Sequence, residues 1–367
     1  MSDNLKRYRA ISDSLKQMYP QRLTGRQMQH MQVLAAFING IVGSQHSHLS
    51  AIARKLPTGT QRQSRIMRLS RWLKNKTVTQ ESYFAPFAQA LLVGLAHQPL
   101  VLVIDGSTVG QGCMCLMVSV IYKKRALPLG WLVFKGNKGH CSQSHHLAVL
   151  QQIKELIPEG VEVIMLGDGE FDGGEWLTTL ADYGWFYVCR TAKNTMLYED
   201  DVPFCPAEWG VSPGECLSVP QVSLTQQQYG PMMAIAWWDT AYAEPLFLVS
   251  NLELAQEACA YYRQRFLIET FFSDQKSRGF NLHKSHLRDP QRLARLLIAA
   301  CLAYIWMIYL GQIALLPAWR KRVHRLDRCD LSLFQLGLAL LDELFNLNHP
   351  IPVAFQPCKM DTLNCVG

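Results

Sequence analysis

Residues 262–276 have the sequence YRQRFLIETFFSDQK, which contains no proline or glycine and is followed by Arg278-Gly279. A basic residue and a glycine at this position are typical of a helix end, so we predict one helix over the stretch. At about 100° per residue, a face roughly 60° wide would then carry four functional side chains: Tyr262, Arg265, Glu269 and Lys276.

This face combines one carboxylate with two cations and a phenol. A carboxylate in such surroundings can hold a divalent cation, while Arg265 and Lys276 hold the phosphate that the cation activates. The simpler interpretation is an amphipathic helix with an i,i+4 ion pair between Arg265 and Glu269. For any single pair of these residues the simpler interpretation is the more common one, so the function depends on all four together.

The full pattern Tyr262-x2-Arg265-x3-Glu269-x6-Lys276 resembles, without a gap, the YREK signature of the IS-four group of bacterial insertion-sequence transposases. Members of that group share a DDE catalytic triad of two aspartates and one glutamate. The resemblance implies that Glu269 is the third acid and that two catalytic aspartates lie upstream.

Composition describes a folded chain with a moderate positive charge. With 367 residues, 49% of them apolar and 18% charged, the chain is long enough for two or three domains and is not disordered. The net charge of +7 favours a polyanionic partner, although charge alone fits DNA, RNA or an anionic membrane surface.

The N-terminus and the cysteines indicate a reducing compartment. Charges run through residues 1–17 without an apolar segment, so no signal peptide is predicted. Eleven cysteines occur without a C-x-x-C pair, which favours free thiols over a zinc site, and Cys113 and Cys115 are expected in a strand core. We therefore expect a cytoplasmic protein, and the resemblance implies that it is associated with the bacterial nucleoid.

One uncharged segment, residues 296–319, is long enough to cross a bilayer and is flanked by basic residues. It follows the signature stretch directly, and Gly311, Gln312 and Pro317 interrupt it. A buried core helix is the preferred interpretation, and a membrane protein remains an alternative.

Residues 1–96 carry apolar residues at helical spacing and predict an all-helical N-terminal domain with helices over 4–19, 24–42, 49–55, 60–74 and 80–95. The fourth helix has an apolar face and a strongly basic remainder that includes Arg65, Arg68 and Arg71. Such a helix can contact several phosphates, or it can be a solvated basic helix. Transposases of the resembling group have a helical DNA-binding region here.

From residue 97 the pattern changes to strands. Three strands are predicted over 100–104, 115–122 and 127–135, then a helix, a strand over 161–166, a helix, and a strand over 185–190. This order matches the ribonuclease-H-like plan, an α/β core with a mixed five-stranded sheet. In that plan Asp105 follows the first strand, Asp168 follows the fourth, and Glu269 lies on a later helix.

Asp168 has two acidic neighbours, Glu170 and Asp172, and acids at a strand end are often simply solvated. The order Asp168-Gly169-Glu170-Phe171 resembles the second acidic block of the group, so Asp168 is the preferred aspartate. Asp105-Gly106-Ser107 resembles the first block.

Residues 191–244 contain five prolines and short apolar runs, which predict a β-rich insertion into the core. The predicted domains are therefore residues 1–96, the catalytic core of residues 97–190 and 245–347, the insertion of residues 191–244, and a tail of residues 348–367 with no assigned function. In the resembling group a tryptophan of the insertion traps a flipped base, for which the candidates are Trp209, Trp237 and Trp238.

The resemblance also implies a mechanism. Asp105, Asp168 and Glu269 would hold two Mg²⁺ ions, with Mn²⁺ able to substitute, and Tyr262, Arg265 and Lys276 would grip phosphates. The substrates would be double-stranded transposon ends, opened through hairpins, and target DNA, with a homodimer in the synaptic complex. No phosphate-binding loop is present, so no role for ATP is expected. Further cations predicted to follow the DNA backbone, from charge and loop position alone, are Lys123, Lys124, Arg125, Lys135, Lys138, Arg190, Lys193 and Lys284.

Two alternatives share this fold. One is an inactive or domesticated DNA-binding protein, which the intact Asp105, Asp168 and Glu269 argue against. The other is a nuclease that cuts DNA but never joins ends.

Overall fold

The computed structural model describes residues 2–19, 23–136, 141–325 and 330–356. The first part of the chain is helical, as α1 (Asp3–Gln17), α2 (Gly25–Ser44), α3 (Leu49–Arg54), α4 (Arg62–Lys74), α5 (Gln80–Tyr83) and α6 (Ala85–Leu95). The single helix expected over residues 80–95 is wrong, since it breaks at Phe84, whose φ is −129°. Pro86 has no N–H to donate to the preceding turn, so one helix cannot continue through it.

A large sheet with helices follows, which confirms a mixed α/β architecture. Its first five strands are β1 (Leu100–Gly110), β2 (Cys113–Tyr122), β3 (Arg125–Lys135), β4 (Val163–Gly167) and β5 (Phe186–Thr191), with α7 (Gln143–Lys154) and α8 (Gly174–Asp182) in the connections. Their order in the sheet is β3-β2-β1-β4-β5. β1 pairs antiparallel with β2 and parallel with β4, and β4 pairs parallel with β5. Cys113 and Cys115 are buried on β2, as expected.

The insertion extends this sheet. Its strands are β6 (Leu197–Glu199), β7 (Val202–Phe204), β8 (Cys216–Leu224) and β9 (Tyr229–Trp237), and β10 (Leu246–Ser250) follows. β10 lies between β5 and β9 and pairs antiparallel with both. The described strands therefore form one ten-stranded sheet instead of the expected five-stranded sheet with a separate β region, because β9 pairs with β10 along the whole length of β10.

The remaining helices are α9 (Ala255–Tyr262), α10 (Leu267–Gln275), α11 (Pro290–Ala314), α12 (Pro317–Val323) and α13 (Leu333–Asn346). α11 coincides with most of the uncharged segment, and by length and composition it could cross a membrane. In this fold 83% of its most apolar window is buried. It packs against α2, α4, β3 and α13, as expected for a core helix.

The N-terminal helices share a hydrophobic core with the sheet and α11. Arg295 of α11 donates hydrogen bonds to the backbone carbonyls of Leu73 (3.1 Å) and Val78 (2.9 Å). Leu73 lies in the last turn of α4, and Val78 follows that helix. Trp131 of β3 donates to the carbonyl of Ala294 at 3.2 Å. The change at residue 96 is therefore a change of secondary structure within one packed unit.

Candidate active site

Two aspartates lie side by side at the point where β1 and β4 part. Val103 pairs with Leu166 in the parallel register, so two residues later Asp105 comes alongside Asp168. β4 ends at Gly167, whereas β1 continues to Gly110 along β2. Asp105 thus lies within β1 and not at its end as expected, but it lies where β1 loses its parallel neighbour and a side chain can face an open edge.

The signature stretch forms two helices instead of one. α9 ends at Tyr262 and α10 begins at Leu267. Between them the backbone hydrogen bonds run from residue i to i−3, for example Arg265 N to the Tyr262 carbonyl (2.9 Å) and Glu269 N to the Phe266 carbonyl (3.0 Å). This tighter turn removes the single helical face predicted from the spacing.

A contact to the insertion lies at the break. Arg263, in the turn, donates to Asp239 Oδ2 from Nε (3.0 Å) and Nη2 (2.7 Å), and its guanidinium lies 5.0 Å from the ring centre of Trp237. Asp239 follows β9, so a distant part of the chain contacts the turn. Sequence periodicity contains no signal of this contact.

Arg265 brings the three predicted acids together. Its guanidinium lies 2.7 Å from Glu269, 3.8 Å from Asp168 and 3.9 Å from Asp105. Burial by itself lowers the pKa of Arg265. Tyr262 and the three carboxylates together have the larger effect, so the pKa of Arg265 is raised. The guanidinium is thus the counter-charge shared by the three acids.

The nearby guanidinium does not fully offset the burial of Asp105. Burial and, to a smaller extent, the neighbouring Asp168 raise the pKa of Asp105 to about 6, while Arg265 and the Gly106 N–H act in the opposite direction. The Asp105 side chain is 17% exposed, so solvent screens this repulsion only weakly. A cation bound near these acids would relieve both the burial of charge and the repulsion.

The donor chemistry fits a divalent cation, although the present arrangement is not a finished metal site. Within the described ranges, no three His, Cys, Asp or Glu side chains are close enough to hold a metal ion as they stand. Instead, Arg265 occupies the position between the carboxylates. Carboxylate oxygens are the ligands that Mg²⁺ prefers, so a bound cation would compete with the guanidinium for them.

The two other residues of the signature also face this region. Tyr262 is 6% exposed, and its pKa is raised mainly by burial and to a smaller extent by Asp168, whereas Arg265 and Arg190 oppose the rise. Lys276 Nζ donates a 2.6 Å hydrogen bond to Ser107 Oγ, two residues beyond Asp105. Ser107 has no predicted role, because this contact depends on how α10 packs on β1.

The acidic neighbours of Asp168 are engaged elsewhere. A Glu170 carboxylate oxygen accepts a hydrogen bond from the backbone N–H of Cys141. Asp172 accepts a 2.7 Å hydrogen bond from Thr191 Oγ1. Asp168, whose own Oδ1 accepts from the Glu170 N–H at 3.1 Å, is the acid of this group that faces Arg265. The geometry therefore favours Asp168 over both neighbours.

Two predicted DNA-contacting arginines have partners inside the protein. Arg65 donates to the backbone carbonyls of Ala53, Leu56, Thr58 and Thr60 and thereby closes the segment after α3. Arg125 forms a 3.2 Å ion pair with Asp274, in which the two side chains are 15% and 6% exposed. These contacts engage both guanidinium groups within the protein, and the DNA-binding role of the two residues stays a prediction.

The other predicted cations differ in their distance from the site. Lys123 and Lys124 form the exposed tip of the β2–β3 hairpin. The register in which Leu102 pairs with Val120, with a rise of ~3.3 Å per residue, places that tip about 20 Å from Asp105. Arg190 is exposed on β5 and acts on Tyr262, so it lies near the site. Exposed positions are also occupied by Lys193, Arg68 and Arg71. Lys135 donates a hydrogen bond to the Arg288 carbonyl at 2.5 Å. Lys138 lies outside the described residues.

The candidate tryptophans occupy three different environments. Trp237 is 5% exposed and belongs to the core of β9. Trp238 is half-buried and donates to the Tyr242 carbonyl at 3.1 Å. Trp209, at the end of a short 3₁₀ helix (Pro206–Trp209), stacks on Phe204 at a centroid distance of 5.6 Å. Trp237 is thus part of the hydrophobic core, whereas Trp209 and Trp238 are partly accessible to solvent.

The chain matches one known protein family. The family described as "Transposase DDE domain" matches residues 96–306, which is more than half of the chain and includes Asp105, Asp168 and Glu269. Among curated proteins, none matches the sequence. Among solved structures, a piggyBac transposase synaptic complex with hairpin DNA is similar, with 13% identity and a TM-score of 0.46 over 97% of this chain and 83% of that one. A likeness at this level does not bear on the function.

Proposed function

The chain belongs to the transposase DDE-domain family, and on that premise we propose that it cuts DNA at the ends of a mobile element and joins them to target DNA. The observation that carries this proposal is the convergence of Asp105, Asp168 and Glu269 on Arg265. Acids that are distant in sequence rarely share one partner without a functional reason, because their mutual repulsion costs stability.

The core is proposed to be ribonuclease-H-like. The strand order β3-β2-β1-β4-β5, with three antiparallel strands followed by two parallel ones, supports this assignment. So does the position of the first two acids, with Asp105 on β1 and Asp168 directly after the adjacent strand β4. The agreement with the IS-four pattern is the further basis for assigning the chain to that group of insertion-sequence transposases.

Asp105, Asp168 and Glu269 would hold the metal, for which we propose two Mg²⁺ ions that Mn²⁺ can replace. When bound, such ions activate the attacking oxygen and stabilise the leaving oxygen of a phosphodiester. Arg265 would then be released from the carboxylates and turn to the DNA phosphate. Its planar guanidinium suits a phosphate as well as a carboxylate, so the same residue serves the site with and without DNA.

The remaining signature residues would position the DNA. Lys276, held beside Asp105 through Ser107, presents a compact charge to the phosphate next to the scissile bond. The Tyr262 phenol, kept protonated by its raised pKa, can donate a hydrogen bond to a phosphate oxygen. Arg190 extends this positive surface along β5. None of these residues needs to form a covalent bond with DNA.

The proposed reaction is cut-and-paste transposition. Water attacks the phosphorus at the element end and a 3′ hydroxyl leaves. That hydroxyl attacks the opposite strand to give a hairpin, which water reopens, and the 3′ hydroxyl finally attacks target DNA. Each step forms one P–O bond and breaks another, so no ATP is required. Because two ends must be handled together, we propose a homodimer on DNA, in the cytoplasm of a bacterium.

The test is cleavage of the element's own ends, cloned from the DNA that flanks this reading frame, in the presence of Mg²⁺. The proposal predicts metal-dependent cutting, hairpin products and joining to a second duplex, all lost in Asp105→Asn. Cutting without joining under any metal condition would indicate a nuclease. Tight binding without cutting would indicate an inactive DNA-binding protein.

A further inference from the structure

Four histidines from two distant parts of the chain lie together next to the active site. His46 and His48 lie between α2 and α3, and His283 and His286 lie between α10 and α11. The rings of His48 and His286 are 5.1 Å apart between centroids, and those of His46 and His48 are 6.3 Å apart. The H-x-H and H-x2-H spacings are visible in the sequence, but nothing there brings the two pairs together.

The two segments are fixed to each other. Buried Ser47 donates a 2.9 Å hydrogen bond to the Phe280 carbonyl, and Asn281 Nδ2 donates to the Gln45 carbonyl at 3.2 Å. The His48 backbone N–H donates to His46 Nδ1 at 3.0 Å, so the neutral His46 ring keeps its proton on Nε2. The histidines are therefore held in place by the fold.

This cluster joins the active site to the basic helix α4. Lys276 and Lys284 both act electrostatically on His283, and Lys284 also acts on His46. At the other side Arg62, in the first turn of α4, acts on His48. We name this surface the histidine track, consisting of His46, His48, His283, Lys284 and His286.

Among the described residues, no carboxylate acts on the pKa of His46, His48 or His283. The groups that lower the pKa of His46, His48 and His283, after burial, are all cations or other imidazoles, namely Arg62, Lys276, Lys284, His283, His286 and His48. The nearest acid along the chain, Asp289, caps α11 by accepting from the Arg292 N–H at 2.8 Å. Protonated imidazoles in such a cluster repel one another, which lowers their pKa. An anion that binds to the cluster offsets this repulsion and favours the protonated form of the imidazoles.

We propose that the histidine track binds the phosphodiester backbone of the DNA that leaves the active site, and that it takes up protons as it does so. The inference rests on the proposed function, since it assumes that Lys276 holds DNA. A linear polyanion fits better than a single phosphate, because the groups act on one another in a chain from Lys276 through His283, His46 and His48 to Arg62. His283, Lys284 and His286 are exposed, as such contacts require.

The consequence is DNA affinity that rises as pH falls. Each imidazole that becomes protonated on binding neutralises about one more phosphate, which steepens the dependence of log K on log salt by about 0.9. For His48 and His283 the slope should steepen by about 2, and affinity should rise by about tenfold or more between pH 7.5 and 5.5.

The experiment measures binding of the full chain to a fluorescent 30-base-pair duplex in EDTA, at both pH values and several salt concentrations. The test variant is His48→Gln/His283→Gln/His286→Gln, which leaves His46 and its backbone contact intact. His97→Gln, an exposed histidine before β1, is the matched control. Asp105 also titrates near pH 6, so the result is the difference between wild type and the triple variant.

The proposal predicts that the triple variant loses the extra affinity and the steeper slope at pH 5.5, whereas His97→Gln keeps both. An equal rise in the triple variant would overturn the proposal, as would a histidine-dependent rise for phosphatidylserine vesicles or single-stranded RNA but not for duplex. If the histidine-dependent rise is present and the cloned ends are never cut, the histidine track stands and the transposase proposal fails.

Discussion

Lys276 donates to Ser107 at 2.6 Å and so joins the end of α10 to β1, two residues beyond Asp105. This contact links the helix that carries the third acid to the strand that carries the first. If Lys276 serves the DNA phosphate, its charge matters more than its bond to Ser107. We expect Lys276→Gln to lower the cleavage rate about 100-fold, through loss of some 3 kcal/mol of charged hydrogen bonding. Ser107→Ala, which keeps the charge, should stay within about threefold of wild type. Equal loss in both variants, measured in single-turnover cleavage assays, would assign Lys276 a purely structural role.

Glu269→Gln should bind element ends normally and lose cleavage by a factor on the order of 10³, because an acid that holds metal contributes several kcal/mol to the transition state. The matched control is Glu170→Gln, since Glu170 is bonded to the backbone of Cys141. Glu170→Gln should cut at a rate close to that of wild type. Wild-type cleavage by Glu269→Gln would refute the assignment of the third acid.

Asp105 should destabilise the metal-free protein at neutral pH. Its pKa is about 6 in the folded chain against an ordinary value of 3.8, so its contribution to stability is complete below pH 3.8 and is lost as pH rises through 6. The difference corresponds to a cost on the order of 3 kcal/mol at pH 7.5.

Asp105→Asn should therefore raise the melting temperature in EDTA at pH 7.5 and have little effect near pH 4. Adding Mg²⁺ should stabilise wild type and leave Asp105→Asn almost unchanged, because the variant has lost a ligand. Thermal denaturation at the two pH values, with and without Mg²⁺, measures both effects. A variant less stable than wild type in EDTA at neutral pH would contradict the raised pKa.

Arg125 should be required for folding and not for DNA binding. Removing one partner of a buried ion pair leaves the other charge without compensation, and burial has already raised the pKa of Asp274 to about 6. Arg125→Ala should lower the free energy of unfolding by about 3 kcal/mol or more. Lys124→Asn, at the adjacent exposed turn where φ is 61°, should change it by less than about 0.5 kcal/mol. Urea denaturation compares the two, and similar stabilities would mean that the ion pair contributes little.

The sequence predicts which acids come together better than it predicts the path of the backbone. Asp105 and Asp168 follow from apolar runs that end in acids, and Glu269 follows from the spacing of the signature. The turn after Tyr262 has no signal in the sequence, and the contact that Arg263 makes with Asp239 at this turn exists only in the fold. Arg65 and Arg125 look like surface cations in the sequence because their partners, backbone carbonyls and Asp274, become neighbours only in the fold.

The pairing of β9 with β10 also protects the catalytic sheet from self-association. Without the insertion, β10 would present its unpaired N–H and C=O groups to solvent as an edge strand, which is a template for aggregation. In the complete chain that end of the sheet is instead β7, only three residues long and containing Pro203. A short edge strand with a proline pairs poorly with another chain. A shortened version that lacks the insertion should therefore precipitate for reasons unrelated to chemistry, and its inactivity would say nothing about DNA.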